Sequence, residues 1–173
     1  MAELVKFEIK EFPNLILAGK EIRHDNEAQM NGDNPLPAFW DKCFGDGTLT
    51  TLEGLGDQVF DDAYVGIMRD WLRGDGMFSY VVGMFLKEGA ELPEGFVGYL
   101  IPAGPVAVGW IQGNDTMDVC SVAHEFTEKA LREQGRTCNN MTWCGEVYGC
   151  PRYTEPDENG KIILDYYIPL DKI

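Results

Sequence analysis

The stretch Trp143-Cys144-Gly145-Glu146-Val147-Tyr148-Gly149 decides how the chain is read. Its pattern predicts a short strand with a carboxylate at its centre. Period-two alternation places Cys144, Glu146 and Tyr148 on one face, and Gly145 and Val147 on the other. Glutamate is depleted in strands and seldom fully buried without a partner. A glutamate among glycine, valine, cysteine and aromatic neighbours is either solvated on an outer face or held in a pocket. In a pocket it can bind a cation, or serve as general base toward a water.

Outward from that stretch the chain alternates strands and helices. Val5, Phe7 and Ile9 alternate with Lys6, Glu8 and Lys10, which predicts a half-buried strand from Val5 to Phe12. Pro13-Asn14 turns it, and Leu15 to Ile22 returns as a second strand. A polar stretch follows. Asn34 is placed to cap a helix with Pro35 in its first turn, carrying Phe39, Trp40 and Phe44 on one face and broken by Gly45-Asp46-Gly47. Ala63 to Met68 and Met77 to Leu86 read as strands around a Gly-Asp-Gly turn. Val97 to Ile101 and Val106 to Ile111 are strands joined at Pro102-Ala103-Gly104-Pro105. Val119, Val122, Ala123, Phe126, Ala130 and Leu131 recur at helical spacing, predicting one helix from Thr116 to Gly135. The Glu146 strand, a loop from Cys150 to Gly160 and a last strand from Ile162 to Ile168 complete the chain.

Both halves thus follow one order: strand, turn, strand, helix, strand, loop, strand. The stretch from Phe12 to Gly19 resembles that from Ile101 to Gly109, and Phe78 to Gly83 matches Leu164 to Pro169. This is an internal duplication, with repeats at about 3–90 and 96–173 and a boundary near Leu92-Pro93-Glu94-Gly95. The fold class expected is α+β: two tandem look-alike halves that pack as one unit, since each alone would have a thin core. Helices cover one face of antiparallel sheets, and a ligand cleft is expected on the other, at the junction of the halves.

Composition narrows the function. Lysine and arginine number 14 against 29 acidic residues, a formal charge of −15. Such a surface repels phosphate backbones, which argues against direct nucleic-acid binding and suits cationic ligands. The five cysteines are an odd number with no C-x-x-C, which fits neither a disulfide framework nor a zinc ribbon. No signal-like or membrane-length apolar run occurs, so a reduced cytoplasmic setting is the expectation, with no membrane association. No cofactor is expected, since neither a phosphate-cradling loop nor a dinucleotide fingerprint is found. His24 and His124 are too far apart in sequence to suggest a metal site.

The order of elements resembles the GyrI-like family, the superfamily of gyrase-inhibitory proteins and effector-binding domains of bacterial transcription activators. Tyr64-Val65-Gly66-Ile67, Phe78 to Met84, Leu92 to Phe96, Ile101 to Gly104, Gly145 to Tyr148 and Tyr166 to Leu170 carry the likeness. It spans essentially the whole chain. The resemblance implies a single effector-binding domain of two tandem pseudo-symmetric strand-helix-strand-strand modules, in a bacterial small-molecule-binding protein for drug or toxin sensing or protection. Its ligand is lipophilic and cationic or electrophilic, met by a central glutamate in an E-x-Tyr strand, here Glu146 with Tyr148. The tyrosine before the final Ile-Pro falls on Tyr167. Some stand-alone members hydrolyse cyclopropane-type alkylators, so a small hydrolase with Glu146 activating water and Tyr148 or Trp110 positioning the substrate is an alternative. An acidic inhibitor of a protein partner such as DNA gyrase is another. The chain departs from the regulators in carrying no recognisable DNA-reading domain. A monomer or weak dimer is expected.

Trp110 lies on the Val106-Val108-Trp110 face, and Tyr64 is assigned the place in the first half that Glu146 holds in the second. With Tyr80 they complete the expected ligand contacts: Glu146, Tyr148, Tyr167, Trp110, Tyr64 and Tyr80. Each aromatic has core packing as its plain alternative. Asp165 shares the Tyr167 face. Cys144 shares the Glu146 face, with no neighbouring His or Lys in the sequence to activate its thiol. Trp143, Trp40 and Trp71 read as packing or rim.

Overall fold

The computed structural model describes residues 1–138 and 142–170. Among these, eight strands are formed: β1 (Glu3–Phe12), β2 (Leu15–Asp25), β3 (Tyr64–Arg69), β4 (Met77–Lys87), β5 (Val97–Ile101), β6 (Gly104–Gly113), β7 (Trp143–Tyr148) and β8 (Ile162–Pro169). Five α-helices accompany them: α1 (Asn26–Met30), α2 (Leu36–Gly45), α3 (Thr48–Glu53), α4 (Thr116–Cys120) and α5 (Ala123–Glu133). The fold is α+β with antiparallel pairing throughout the described ladders.

The chain forms two compact units. Unit 1 holds Met1–Pro13 and Ala103–Ile173, and unit 2 holds Asn14–Pro102. The chain changes unit after Pro13 and again after Pro102, the two prolines that the sequence repeat superimposes. At neither point does a hairpin form. Instead β1 pairs with β6, and β5 pairs with β2. Each unit therefore takes its edge strand from the other sequence half. Within unit 1 the strand order is β1-β6-β8-β7, and within unit 2 it is β5-β2-β4-β3.

In unit 1, antiparallel partners share a sheet face. Phe7 faces Gly109, Gly109 faces Tyr166, and Tyr166 faces Glu146. α5 lies over this row. Gly109 leaves the room for it, because a Cβ there would fall 2.3 Å from Thr127 Oγ1. Thr127 is fully buried and returns its hydroxyl hydrogen to the Ala123 carbonyl at 2.8 Å. In unit 2, α2 and α3 cover the face that carries Tyr80, Val82 and Met84.

Several local expectations are revised. Val5 is 44% exposed, because the β1–β6 register shifts between Leu4 and Lys6. A bulge there turns Val5 away from the face that Phe7 and Ile9 share. The Thr116–Gly135 helix is two. Asp115 caps α4 by accepting from the Asp118 N–H at 2.9 Å, and α4 stops at Cys120. Ser121 there gives its hydroxyl hydrogen to the Asp118 carbonyl at 3.1 Å, the side-chain competition that interrupts helices. The polar stretch after β2 holds α1, capped by Asp25. Beyond the Gly45-Asp46-Gly47 break lies α3, where Asp46 accepts from the Thr48 N–H at 3.0 Å and from its hydroxyl. Asn34 accepts from the Leu36 N–H at 3.0 Å at the start of α2.

Candidate functional site

β7 places Glu146 and Tyr148 side by side on the helix-bearing face of unit 1, both half-buried. Tyr148 Oη lies 3.8 Å from Cys120 Sγ at the end of α4. Its ring meets Tyr153 at 4.7 Å and 72°, an edge-to-face corner. Tyr153 Oη in turn lies 2.6 Å from Thr116 Oγ1 at the start of α4. Strand, helix end and loop thus converge on one small volume beside a carboxylate.

The electrostatics of that volume follow from burial and from Glu146. Desolvation first, then the negative charge of Glu146, pushes the Cys120 thiol up to about 12. Cys144 is likewise raised to about 12, chiefly by burial, with Glu146 adding to it. Burial also raises the Tyr153 phenol, and Cys120 and Glu146 add to the rise. Both thiols and the phenol stay protonated at neutral pH, and none is an activated nucleophile. Cys144 accepts a hydrogen bond from Tyr166 at 3.3 Å, and the same Tyr166 hydroxyl lies 3.1 Å from His124 Nδ1.

The ladders divide the expected site residues. Tyr167 faces Gly145 and Val108, so it stands on the other side of the unit 1 sheet from Glu146. It is only 6% exposed, with its ring 5.4 Å from that of Phe12. Trp110 faces Asp165 on that same side. Its ring is already covered by cations of the protein itself: Lys6 Nζ at 4.3 Å and Arg152 Cζ at 4.5 Å from the centroid. Arg152 also holds the buried Asp165, with Nε 2.7 Å from Oδ1 and Nη2 paired to Oδ2. Glu146 and Tyr148 are brought together, and Tyr167 and Trp110 are not brought to them.

Tyr64 and Tyr80 belong to unit 2. Tyr80 is 2% exposed and its hydroxyl accepts from Trp40 Nε1 at 3.0 Å, a core tyrosine tied to α2. Tyr64 is half-buried, donates to the Glu53 carboxylate and packs edge-on to Phe44 at 5.8 Å. A hollow of about 330 Å³ in unit 2 is lined by Lys20, Ile22, Phe39, Cys43, Asp46 and Val97 among others, and by none of the six expected contacts.

Tyr153, Cys120 and Thr116 did not emerge from the sequence. Tyr153 sits in a loop with no periodicity to assign its direction, and Cys120 ends a helix that the pattern ran straight through. Among the described residues no cluster of His, Cys, Asp and Glu is arranged to hold a metal ion. No helix among them is long and apolar enough to cross a membrane.

Comparison with known proteins places this geometry. The chain is similar along 96% of its length to a putative bacterial transcription regulation protein from Staphylococcus aureus MU50 (TM-score 0.68, 17% identity, 99% of that chain covered). SAV2435, solved bound to tetraphenylphosphonium, matches with a TM-score of 0.69 at 17% identity, over 96% of this chain and 94% of that one. The integron cassette protein VCH_CASS2 from the mobile metagenome of Vibrio cholerae matches at 0.58 and 13%, over 98% and 99%. At these identities the likeness concerns the fold. No curated protein sequence matches the chain. The Cass2 family, described as integron-associated effector binding protein, matches residues 8–170. The chain therefore belongs to the Cass2 family of effector-binding proteins, within the GyrI-like group.

Proposed function

We propose that this protein binds a lipophilic cation at the Glu146 corner of unit 1, with Tyr148 and Tyr153 supplying aromatic faces. The observation that carries the reading is the convergence of Glu146 with the rings of Tyr148 and Tyr153, which meet edge-on at 72° with centroids 4.7 Å apart. A cation beside such rings gains about 0.5–2 kcal/mol per good contact, more as it is desolvated. A half-buried carboxylate supplies the charge match, and the −15 formal charge of the chain enriches cations around it. The structural neighbour SAV2435 binds tetraphenylphosphonium, an ion of this class. The role that fits is uptake of a toxic or signalling cation for sensing or protection.

Calorimetric titration with tetraphenylphosphonium tests this. Glu146→Gln keeps size and folding and is expected to weaken binding at least tenfold. Equal affinity in wild type and Glu146→Gln would remove the reading.

A further inference from the structure

The hollow of about 330 Å³ in unit 2 lies between α2 and the far end of β2. Phe39, Lys42, Cys43 and Asp46 stand at i, i+3, i+4 and i+7, so α2 and its last turn bring all four to one side. Lys20 and Ile22 come from β2. Period-two alternation puts both on the helix-bearing face, paired across the ladder with Val82 and Tyr80. β2 runs on to Asp25, but its ladder with β5 ends at Gly19 and Val97. The space opens there, with Gly95 and Val97 at its side. None of the residues lining it belongs to β3 or β7.

The charges decide which ligand fits. The three arginines of unit 2 are paired with carboxylates: Arg23 with Asp75, Arg69 with Glu21 and Arg73 with Asp70. Lys20 Nζ instead donates to the Gly95 carbonyl at 2.7 Å and lies 4.4 Å from the Phe96 ring centroid, and neither it nor Lys42 has an ion pair among the described residues. Both charges reach the floor of the hollow. Burial, then Asp46, pushes the fully buried Cys43 thiol up, and Lys42 and Lys20 are among the groups that oppose the rise. Asp46 is tied to Thr48, whose N–H it accepts at 3.0 Å. Glu21 belongs to the other sheet face, where Tyr99 Oη donates to it at 2.6 Å. Two ammonium groups against one carboxylate leave a single positive charge beside an apolar wall of Ile22, Phe39 and Val97. A small anion with an apolar body matches both features, whereas a cation meets two like charges. The −15 of the whole chain does not reverse this, because exposed charges more than about 8 Å away are largely screened at physiological salt. We infer that the α2–β2 hollow of unit 2 binds a small organic carboxylate, with its charge at Lys20 and Lys42 and its apolar body against Ile22, Phe39 and Val97. The size suits it, since the volume lies at the low end for small-molecule sites. The inference goes beyond the Glu146 reading and shares no residue with it.

The probe is 2-naphthoate, followed by the Ile22 and Val97 methyl signals in NMR titrations of the full chain. Saturable shifts at both residues are expected. The neutral 2-naphthamide and the cationic 2-naphthylmethylammonium keep the rings and change the charge, and are expected to bind more weakly in that order. Lys42 is exposed, so Lys42→Gln is expected to melt with the wild type. Its loss of one partly exposed ion pair is expected to weaken 2-naphthoate about two- to fivefold. Asp46→Asn keeps an acceptor for Thr48, removes the like charge and is expected to tighten 2-naphthoate. Equal binding of 2-naphthoate and 2-naphthamide, wild-type affinity in Lys42→Gln, or no saturable shift at Ile22 and Val97 overturns the proposal. So does weaker binding in an Asp46→Asn protein of unchanged melting temperature. The tetraphenylphosphonium titration decides the Glu146 reading separately, with a probe of opposite charge.

Discussion

Units 1 and 2 share a frame and differ in what stands across from its central tyrosine. In unit 1, Tyr166 on β8 is 2% exposed and reaches His124 on α5. In unit 2, Tyr80 on β4 is 2% exposed and reaches Trp40 on α2. The residue before each tyrosine is buried and held by an arginine: Asp165 by Arg152, and Ser79 by Arg23 at 2.9 Å. Across the ladder the likeness ends. Glu146 faces Tyr166, whereas Met68 faces Tyr80. The same scaffold thus presents a carboxylate in one unit and a thioether in the other. The ring-and-helix pair is common to both units, and the residue opposite it on the ladder is what differs.

The largest difference is expected at the two arginines. Removing Arg152 leaves the carboxylate of Asp165, 2% exposed, without its bidentate partner. Breaking a buried ion pair in this way costs about 3–5 kcal/mol. Removing Arg23 leaves a neutral Ser79 hydroxyl and two partly exposed carboxylates, Asp70 and Asp75, which costs about 1 kcal/mol. Urea denaturation of Arg152→Ala and Arg23→Ala measures both. Equal losses would mean that the buried charge of Asp165 is held by something other than Arg152.

The frame was legible in the sequence because it is written in short periodicities. β3, β4, β7 and β8 alternate or run apolar between turn residues, and their order gives the α+β class. The two prolines were legible too, Pro13 after Phe12 and Pro102 after Ile101. What those prolines do was not: a turn between two strands looks the same whether the strands pair with each other or part. β1 and β5 depart, and only the register shows it. The proposed site was half legible. Glu146 and Tyr148 follow from parity within one strand. Tyr167 and Trp110 needed the register between strands, and Tyr153 needed the path of a loop, neither of which a single strand's pattern encodes.

A smaller contrast is expected at the tyrosine hydroxyls. Tyr166 Oη donates to Cys144 Sγ and meets His124 Nδ1, whereas Tyr80 Oη accepts from Trp40 Nε1. Tyr166→Phe removes the hydroxyl beside a half-buried imidazole nitrogen and is expected to cost about 1–3 kcal/mol; Tyr80→Phe removes the acceptor of the Trp40 indole N–H and is expected to cost about 1 kcal/mol. Thermal melting of the two variants ranks them. A reversed order would place the stronger hydroxyl contact on the unit 2 side.

The finest contrast is one of pH, because of these two helix partners only His124 titrates. Burial pushes the His124 pKa down; Glu128 opposes that fall and Arg132 adds to it. In the unfolded chain the imidazole takes up its proton near an ordinary value of about 6.5, while the folded protein resists. The unfolded state then binds more protons, so stability is full above about pH 6.5 and declines as pH falls from there toward the folded pKa. Carboxylates held low in the fold, such as Asp46 and Asp118, take effect at more acid pH and leave this window to the histidine. Melting temperatures of the wild type are therefore expected to drop between pH 7.5 and 5.5 by more than those of His124→Gln, which keeps a polar group beside Tyr166 without a titrating one. Parallel pH profiles for the two proteins would show that His124 is protonated as easily folded as unfolded, and that its packing against Tyr166 at 5.6 Å does not exclude charge.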